Sequence, residues 1–343
     1  MKRVGHLTEQ IAEMDNLYQA FAKACRGKQR KREVQDFREH FDENIAQMRN
    51  EILSGDITVG NYHFFTIRDP KERMICAAPF RERVLHHAIM NVCHEYFDRS
   101  LIDTTYATRP HKGVYAALGK AVEAVTHYPF IVKLDFRKYY DSINHEVLKQ
   151  KLERKFKDKT LLAMFSSIID SYHADTGVGL PIGNLTSQYF ANQYLSDFDH
   201  RAKELLSVPI YIRYMDDILM AADEKGRLKE CVKNLDNYAQ SVLCLTLKPP
   251  IFRTSESGIP FLGYRVLPYR YQLAGRCKRR FRSKLLDYGK KLSDGIWSVG
   301  EYSEHILPLL SFVHHAECFR FRQACVAISQ RYEGGSRKVG LTA

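Results

Sequence analysis

Pro209-Ile210-Tyr211-Ile212-Arg213-Tyr214-Met215-Asp216-Asp217-Ile218-Leu219-Met220-Ala221-Ala222 is the stretch whose reading decides the fold. Two short runs of branched, aromatic and apolar residues flank Met215-Asp216-Asp217, the pattern of two strands meeting at a tight turn. Such turns normally use Asn-Gly or Asp-Gly, because their central residues need positive φ. This one contains no glycine. A turn built against its preferred chemistry points to residues chosen by function. Two adjacent carboxylates also repel unless a cation or solvent relieves them.

Pro129-Phe130-Ile131-Val132-Lys133-Leu134-Asp135-Phe136 is the clearest further strand, and it ends on another acid. An unpaired carboxylate there is expensive to bury. Three acids delivered by strand ends, Asp135, Asp216 and Asp217, make a hard-oxygen site suited to Mg²⁺. Two such ions can activate an attacking oxygen and stabilise a leaving oxygen in phosphoryl transfer, the chemistry of nucleotide addition. The bland alternative is a pair of aspartates solvating a hairpin tip.

Around these strands the pattern is mixed. Residues 8–55 have apolar positions at helical spacing, and 62–67 alternate before a turn at Asp69-Pro70. Pro79 opens a buried helix from Val84 to Phe97, and Arg109-Pro110-His111-Lys112-Gly113 leads into a helix from Val114 to Val125. Helices follow at 145–156 and 159–172. After the break at Gly177 to Gly183 one long helix is expected from about Thr186 to Leu206. A helix at 225–243, a strand near Phe261 to Val266 and a basic helical tail complete the chain. Intermixed helices and antiparallel strands give an α+β class.

The 343 residues are 45% apolar, enough for sizeable cores, which excludes a disordered or disulfide-stapled mini-protein. Lys and Arg number 52 against 40 acids, a formal charge of +12. Two windows, Lys23 to Arg38 at net +5 and Arg276 to Lys291 at net +7, contain the whole excess. Clustered cations suit a phosphate backbone, whose condensed counterions they release; solvated helix faces are the alternative. The eight cysteines show no C-x-x-C pair and read as reduced, buried thiols. His314-His315 with Cys318 and Cys325, and His86-His87, lack a second matching cluster and read as helical core and surface pairs. With no apolar leader and no run of eighteen apolar residues, no membrane partner is expected and a cytoplasmic setting fits.

Tyr214-Met215-Asp216-Asp217, Asp135 with an aromatic five residues later, and Phe261-Leu262-Gly263-Tyr264 downstream, in this order, resemble the palm of reverse transcriptases over roughly residues 60 to 270. The resemblance implies a right-hand polymerase: a basic helical extension over 1–60, fingers over 61–130 and 142–185, palm over 131–141 and 186–268, and a helical thumb over 269–343. Most members of the family look like Gln-Gly-x-x-x-Ser-Pro where this chain has Ile182-Gly183-Asn184-Leu185-Thr186-Ser187-Gln188. That variant resembles the enzymes of diversity-generating retroelements, which copy a template-repeat RNA with frequent errors at adenines. A branched hydrocarbon at Ile182 removes amide hydrogen bonds that would hold sugar or base in register, which lowers the energetic difference between right and wrong pairs. Ordinary packing beside a helix N-terminus is the other reading of Ile182.

The resemblance carries further roles residue by residue. Asp135, the backbone carbonyl of Phe136, Asp216 and Asp217 would hold two Mg²⁺ ions, with Mn²⁺ as a substitute. Tyr140 matches the aromatic gate against a ribonucleotide 2′-hydroxyl, core packing being its alternative. Lys71 and Arg73 match the basic pair over the incoming dNTP, and could equally be solvated hairpin charges. Gly183 and Gln188 join Ile182 in the nucleotide pocket. Lys248 falls where the family places an acid for the pyrophosphate leaving group, although Pro249-Pro250 depart from its loop. Phe261-Leu262-Gly263-Tyr264 resembles the primer grip, or else is a plain turn. Arg109 and Lys112 suit a template contact, and Arg30, Lys31, Arg32, Arg279, Arg280 and Arg282 a nucleic-acid backbone.

The implied partners are template-repeat RNA, a cDNA primer and product, dNTPs and a pentameric accessory variability protein, in a bacterial or phage setting. A thumb ending near Ala343 would leave no room for a nuclease or RNase H domain. A conventional group II intron or retron enzyme is the near alternative, and a non-catalytic RNA-binding scaffold the distant one.

Overall fold

The computed structural model describes residues 3–68 and 72–325. Four helices open the chain: α1 (Thr8–Ile11), α2 (Met14–Cys25), α3 (Arg32–Glu39) and α4 (Phe41–Ser54). Leu17, Ala20 and Ala24 form the buried stripe of α2, and Ile45, Met48 and Ile52 that of α4. Gly55 ends α4 in a left-handed cap at φ 78°, which a side chain would strain. These stripes share one core with α5 (Phe80–Asp98), which buries Val84, Leu85, Ile89, Cys93 and Phe97. Between them β1 (His63–Arg68) and β2 (Glu72–Ala77) form an antiparallel hairpin with Phe64, Phe65 and Met74 exposed.

Next come α6 (Val114–His127), β3 (Phe130–Leu134), a 3₁₀ turn at Tyr140–Ser142, α7 (His145–Lys155) and α8 (Lys159–Asp170). Asn144 and Asp158 cap α7 and α8 by accepting backbone N–H bonds three residues on. The expected long helix is broken into α9 (Leu185–Tyr194), α10 (Ser196–His200) and a π turn at Arg201–Leu205. The break has a cause: Ser196 Oγ donates to the Ser100 carbonyl, and Asp199 is turned inward to a buried arginine. Then follow β4 (Ile210–Tyr214), β5 (Asp217–Ala222), α11 (Lys225–Ser241) and β6 (Ile251–Thr254).

The sheet order is β4-β5-β3-β6, antiparallel throughout. Ile131, Ile212, Leu219 and Ala221 pack into one core with α6, while Val132, Leu134, Ile218 and Met220 pack into the core of the N-terminal helices. Burial on both faces explains why these strands are apolar runs and do not alternate. The register pairs Phe130 with Ala222 and Leu134 with Ile218, so the next step along each strand brings Asp135 beside Asp217. A slip of one residue would send Asp135 to the other face.

The expected single strand at Phe261 is a hairpin, β7 (Ile259–Phe261) and β8 (Tyr264–Leu267), extended by β9 (Arg270–Leu273). Leu262 and Gly263 both have positive φ, 49° and 88°, the conformation a two-residue hairpin turn requires. Helices α12 (Gly275–Ser293) and α13 (Val299–His314) pack on this small sheet through Cys277, Phe281, Leu285 and Val313. All eight cysteines are unpaired and seven are buried. No helix among the described residues is long and apolar enough to cross a membrane.

Candidate active site

Tyr214 pairs with Asp217, leaving Met215 and Asp216 as a two-residue turn. Met215 takes φ 53°, the left-handed conformation expected of a glycine there. For a side chain as large as methionine that conformation costs on the order of 1–3 kcal/mol. Asp135, Asp216 and Asp217 are each half-buried around this turn. Burial, then the nearby Asp135 charge, raises the Asp216 carboxyl above its ordinary range. Burial pushes Asp217 up to about 6, against the opposing pull of Lys133.

Two lysines pair with the carboxylates. Lys248 Nζ donates to Asp135 Oδ2 at 2.8 Å, and its backbone N–H donates to the Asp135 carbonyl at 2.8 Å. Lys133 Nζ donates to Asp217 Oδ2 at 3.1 Å and lies 3.0 Å from Oδ1. Oδ1 itself, buried, has no hydrogen bond and is met only by that ion pair. Among the described residues no three acid, histidine or cysteine side chains are gathered closely enough to hold a metal ion by themselves. The donors nonetheless suit a hard cation: three half-buried acids at adjoining strand ends, two of them raised by burial and by the charge of neighbouring acids, are what a divalent ion would relieve. Phe136 is wholly buried, and the bridge to Leu247 takes its hydrogen bonds from Asp135 and Arg137, so it does not consume the Phe136 carbonyl.

Of the other residues expected around the nucleotide, Tyr140 reaches the turn. Tyr140 Oη contacts Met215 Sδ at 3.8 Å, and its hydroxyl is raised by burial and by the Asp216 charge, with Arg73 opposing. Its neighbour Tyr139 is the core residue of the pair, donating to the Ala191 carbonyl at 2.6 Å. Arg73 is exposed on β2. Ile182 lies on a loop strung between these parts: Leu180 N–H donates to the Tyr140 carbonyl, and Cys76 N–H on β2 donates to the Ile182 carbonyl, both at 2.8 Å. Gly183 has φ 119°, and a Cβ there would stand 3.1 Å from Ile75 Cγ2. Gln188, on the first turns of α9, accepts from Thr108 Oγ1 at 3.2 Å.

Several expected residues stand elsewhere. Lys71 lies outside the described residues. Arg109 is engaged inside the fold, with Nε and Nη2 on Asp98 and Nη1 on the Ile102 and Thr105 carbonyls. Lys112 is likewise tied to the side chain and carbonyl of Asp103. Their geometry is that of loop braces. At the hairpin tip Phe261 and Tyr264 are core residues, while Leu262 and Gly263 are half-buried. Arg30, Lys31 and Arg32 are exposed at the start of α3, and Arg279 and Arg282 on α12; Arg280 is half-buried. Lys133, Asp199 and Arg213 are not among the residues expected from sequence, although a charge inside an apolar strand is a legible signal in the first and last.

An antiparallel sheet carrying three carboxylates at adjoining strand ends, with a hairpin above and a helical unit beyond, defines a right-hand polymerase fold. The chain belongs to the reverse transcriptase (RNA-dependent DNA polymerase) family, whose model matches residues 68–266. It is 21% identical to Protein YkfC of Escherichia coli over 45% of this chain and 45% of that protein. It is 22% identical to a putative COX1/OXI3 intron 2 protein of Saccharomyces cerevisiae over 65% of this chain and 34% of that one. The chain thus spans less than half the length of these relatives. Apo telomerase from Candida tropicalis is 12% identical with a TM-score of 0.49, covering 86% of this chain and 64% of that one.

Proposed function

We propose that this chain is an RNA-templated DNA polymerase that makes adenine-mutagenised cDNA from a template-repeat RNA, as in a diversity-generating retroelement. The observation that carries the catalytic half is the strand register that sets Asp135 beside Asp217, next to the turn that holds Asp216. Asp135, Asp216, Asp217 and the Phe136 carbonyl would hold two Mg²⁺ ions, or Mn²⁺ in their place. Bound there, the metal supplies activation of the primer 3′-hydroxyl and charge stabilisation of the pyrophosphate oxygen.

The protein's own residues do the rest. Arg73, with Lys71, binds the triphosphate, and the fork of arginine suits two phosphate oxygens. Tyr140 blocks a 2′-hydroxyl. Lys248, which donates to Asp135, would give a proton to the leaving group. Residues 61–130 and 142–185 serve as fingers, 131–141 and 186–268 as palm, and 269–325 with the following residues as thumb. The Leu262-Gly263 backbone meets the primer, and the basic groups at Arg30 to Arg32 and Arg279 to Arg282 meet nucleic-acid backbone.

The mutagenic half rests on Ile182-Gly183-x-x-x-Ser187-Gln188. Ile182 offers the nucleotide pocket hydrocarbon and no amide. The similarity to yeast intron proteins favours a second reading, a conventional group II intron-type enzyme. Sequencing cDNA made by the purified protein with its RNA and accessory protein separates the two. Misincorporation concentrated opposite template adenines, and reduced in Ile182→Gln, is the expected result; accurate copying of adenines would leave only the conventional enzyme.

A further inference from the structure

Arg213 sits two residues before Met215 and is fully buried. All five of its N–H groups find acceptors. Nε and Nη2 take both oxygens of Asp199 at 2.7 and 2.6 Å. Nη1 and Nη2 reach Asn192 Oδ1 at 2.9 Å and the Asn192 carbonyl at 3.2 Å. The fifth donates from Nη1 to the Met215 carbonyl at 3.0 Å. Asp199 is completed by Tyr211 Oη at 2.6 Å and Thr105 Oγ1 at 3.2 Å.

Charge balance explains Asp199 alone. A buried ion pair is seldom worth more than an apolar pair of the same size, so stability does not account for retaining it. What an apolar pair could not do is grip the carbonyl of the residue held at φ 53° just before Asp216. We propose that Arg213 is a positioning residue: it clamps the Met215 carbonyl, holds the aspartate turn in its left-handed conformation, and fastens that turn through Asn192 to α9, the helix that carries Gln188. The inference rests on the polymerase reading for its kinetic consequence, and on geometry alone for the clamp. Displacement of a reacting group by about 1 Å costs roughly 100-fold in rate, so the clamp acts on kcat while dNTP and primer contacts made elsewhere are kept.

The test replaces the ion pair by hydrocarbon in the full chain, Arg213→Met with Asp199→Leu. Four quantities are read: Tm, hydrogen exchange of the peptide 210–222, and kcat and KM for dNTP in primer extension at saturating Mg²⁺. The clamp predicts a Tm well above that of Arg213→Met alone, faster exchange at Met215 to Asp217, and a kcat at least ~10-fold below wild type with KM for dNTP within about threefold. Recovery of wild-type kcat, or of wild-type exchange at the turn, overturns it. If the double variant does not fold, Arg213→Lys decides, since it keeps the charge opposite Asp199 but not the five-donor fork. A wild-type kcat and exchange in Arg213→Lys would contradict the clamp. Absence of synthesis by the wild-type chain would instead overturn the polymerase reading, and turn exchange would still decide the clamp.

Discussion

Asp217 is pushed up to about 6 by burial, and an unfolded aspartate titrates near 3.9. The folded chain therefore holds this proton more tightly than the unfolded one. The stability due to the group falls as pH rises from about 4 through 6, and above 6 the fold carries an ionised carboxylate it disfavours. A divalent ion bound at Asp217 recovers that loss. The rise in Tm on adding Mg²⁺ should accordingly be small at pH 5.5 and large at pH 7.5; a rise independent of pH would remove the carboxylates from metal binding. At Tyr140, Tyr140→Ala should lower discrimination against ribonucleotides by roughly 10-fold or more while Tyr140→Phe leaves it intact, measured as the ratio of kcat/KM for rNTP and dNTP. Equal discrimination in all three proteins would make Tyr140 a packing residue. The three aspartates are legible in the sequence because acids at the ends of apolar strands lack a structural excuse. Lys133 and Arg213 carry the same signal, charge inside an apolar run, but what they pair with is set by tertiary contacts between residues far apart in sequence.

The loop carrying Ile182 links elements that sequence alone treats as separate. Its hydrogen bonds to Tyr140 and to Cys76 join the 3₁₀ turn, the β2 strand and the start of α9. Gly183 makes the close approach to β2 possible at a φ that side chains rarely adopt. Gly183→Ala should cost about 1–2 kcal/mol, seen as a Tm lower by a few degrees, and should loosen the hairpin that bears Arg73. An unchanged Tm would show that the loop relaxes freely. Most elements are readable from periodicity, including β3, α5 and the hairpin at Met215. The helix expected over Thr186 to Leu206 is not, because the break after Tyr194 answers to Asp199 and its buried arginine, which helical spacing does not encode. The hairpin at Leu262-Gly263 reads as one strand in the sequence, since its turn is only two residues long.

Across the whole molecule the central sheet divides two hydrophobic cores, and the two windows that hold the net positive charge are largely exposed. One basic group stands on the N-terminal helices, whose stripes are part of the same core as α5 and the sheet, and the other on α12 beyond the small sheet. The sequence treats residues 1–60 as an extension because charge and helical spacing do not reveal which helices pack together. If α12 meets a nucleic-acid backbone, Arg279→Gln with Arg282→Gln should reduce the slope of log K against log salt by about one for each phosphate no longer neutralised, without altering the Mg²⁺-induced rise in Tm. A slope equal to wild type would return these charges to the solvated surface.

The central claim is that the carboxylates at the strand ends build DNA on RNA. Extension of a DNA primer on an RNA template, with dNTPs and Mg²⁺, tests it most directly when wild type and Asp216→Asn are compared alongside their primer–template affinities. The expected result is extension by wild type, a loss of at least ~100-fold in the variant, and unchanged affinity. Equal extension by both proteins, or none by wild type, would contradict the account.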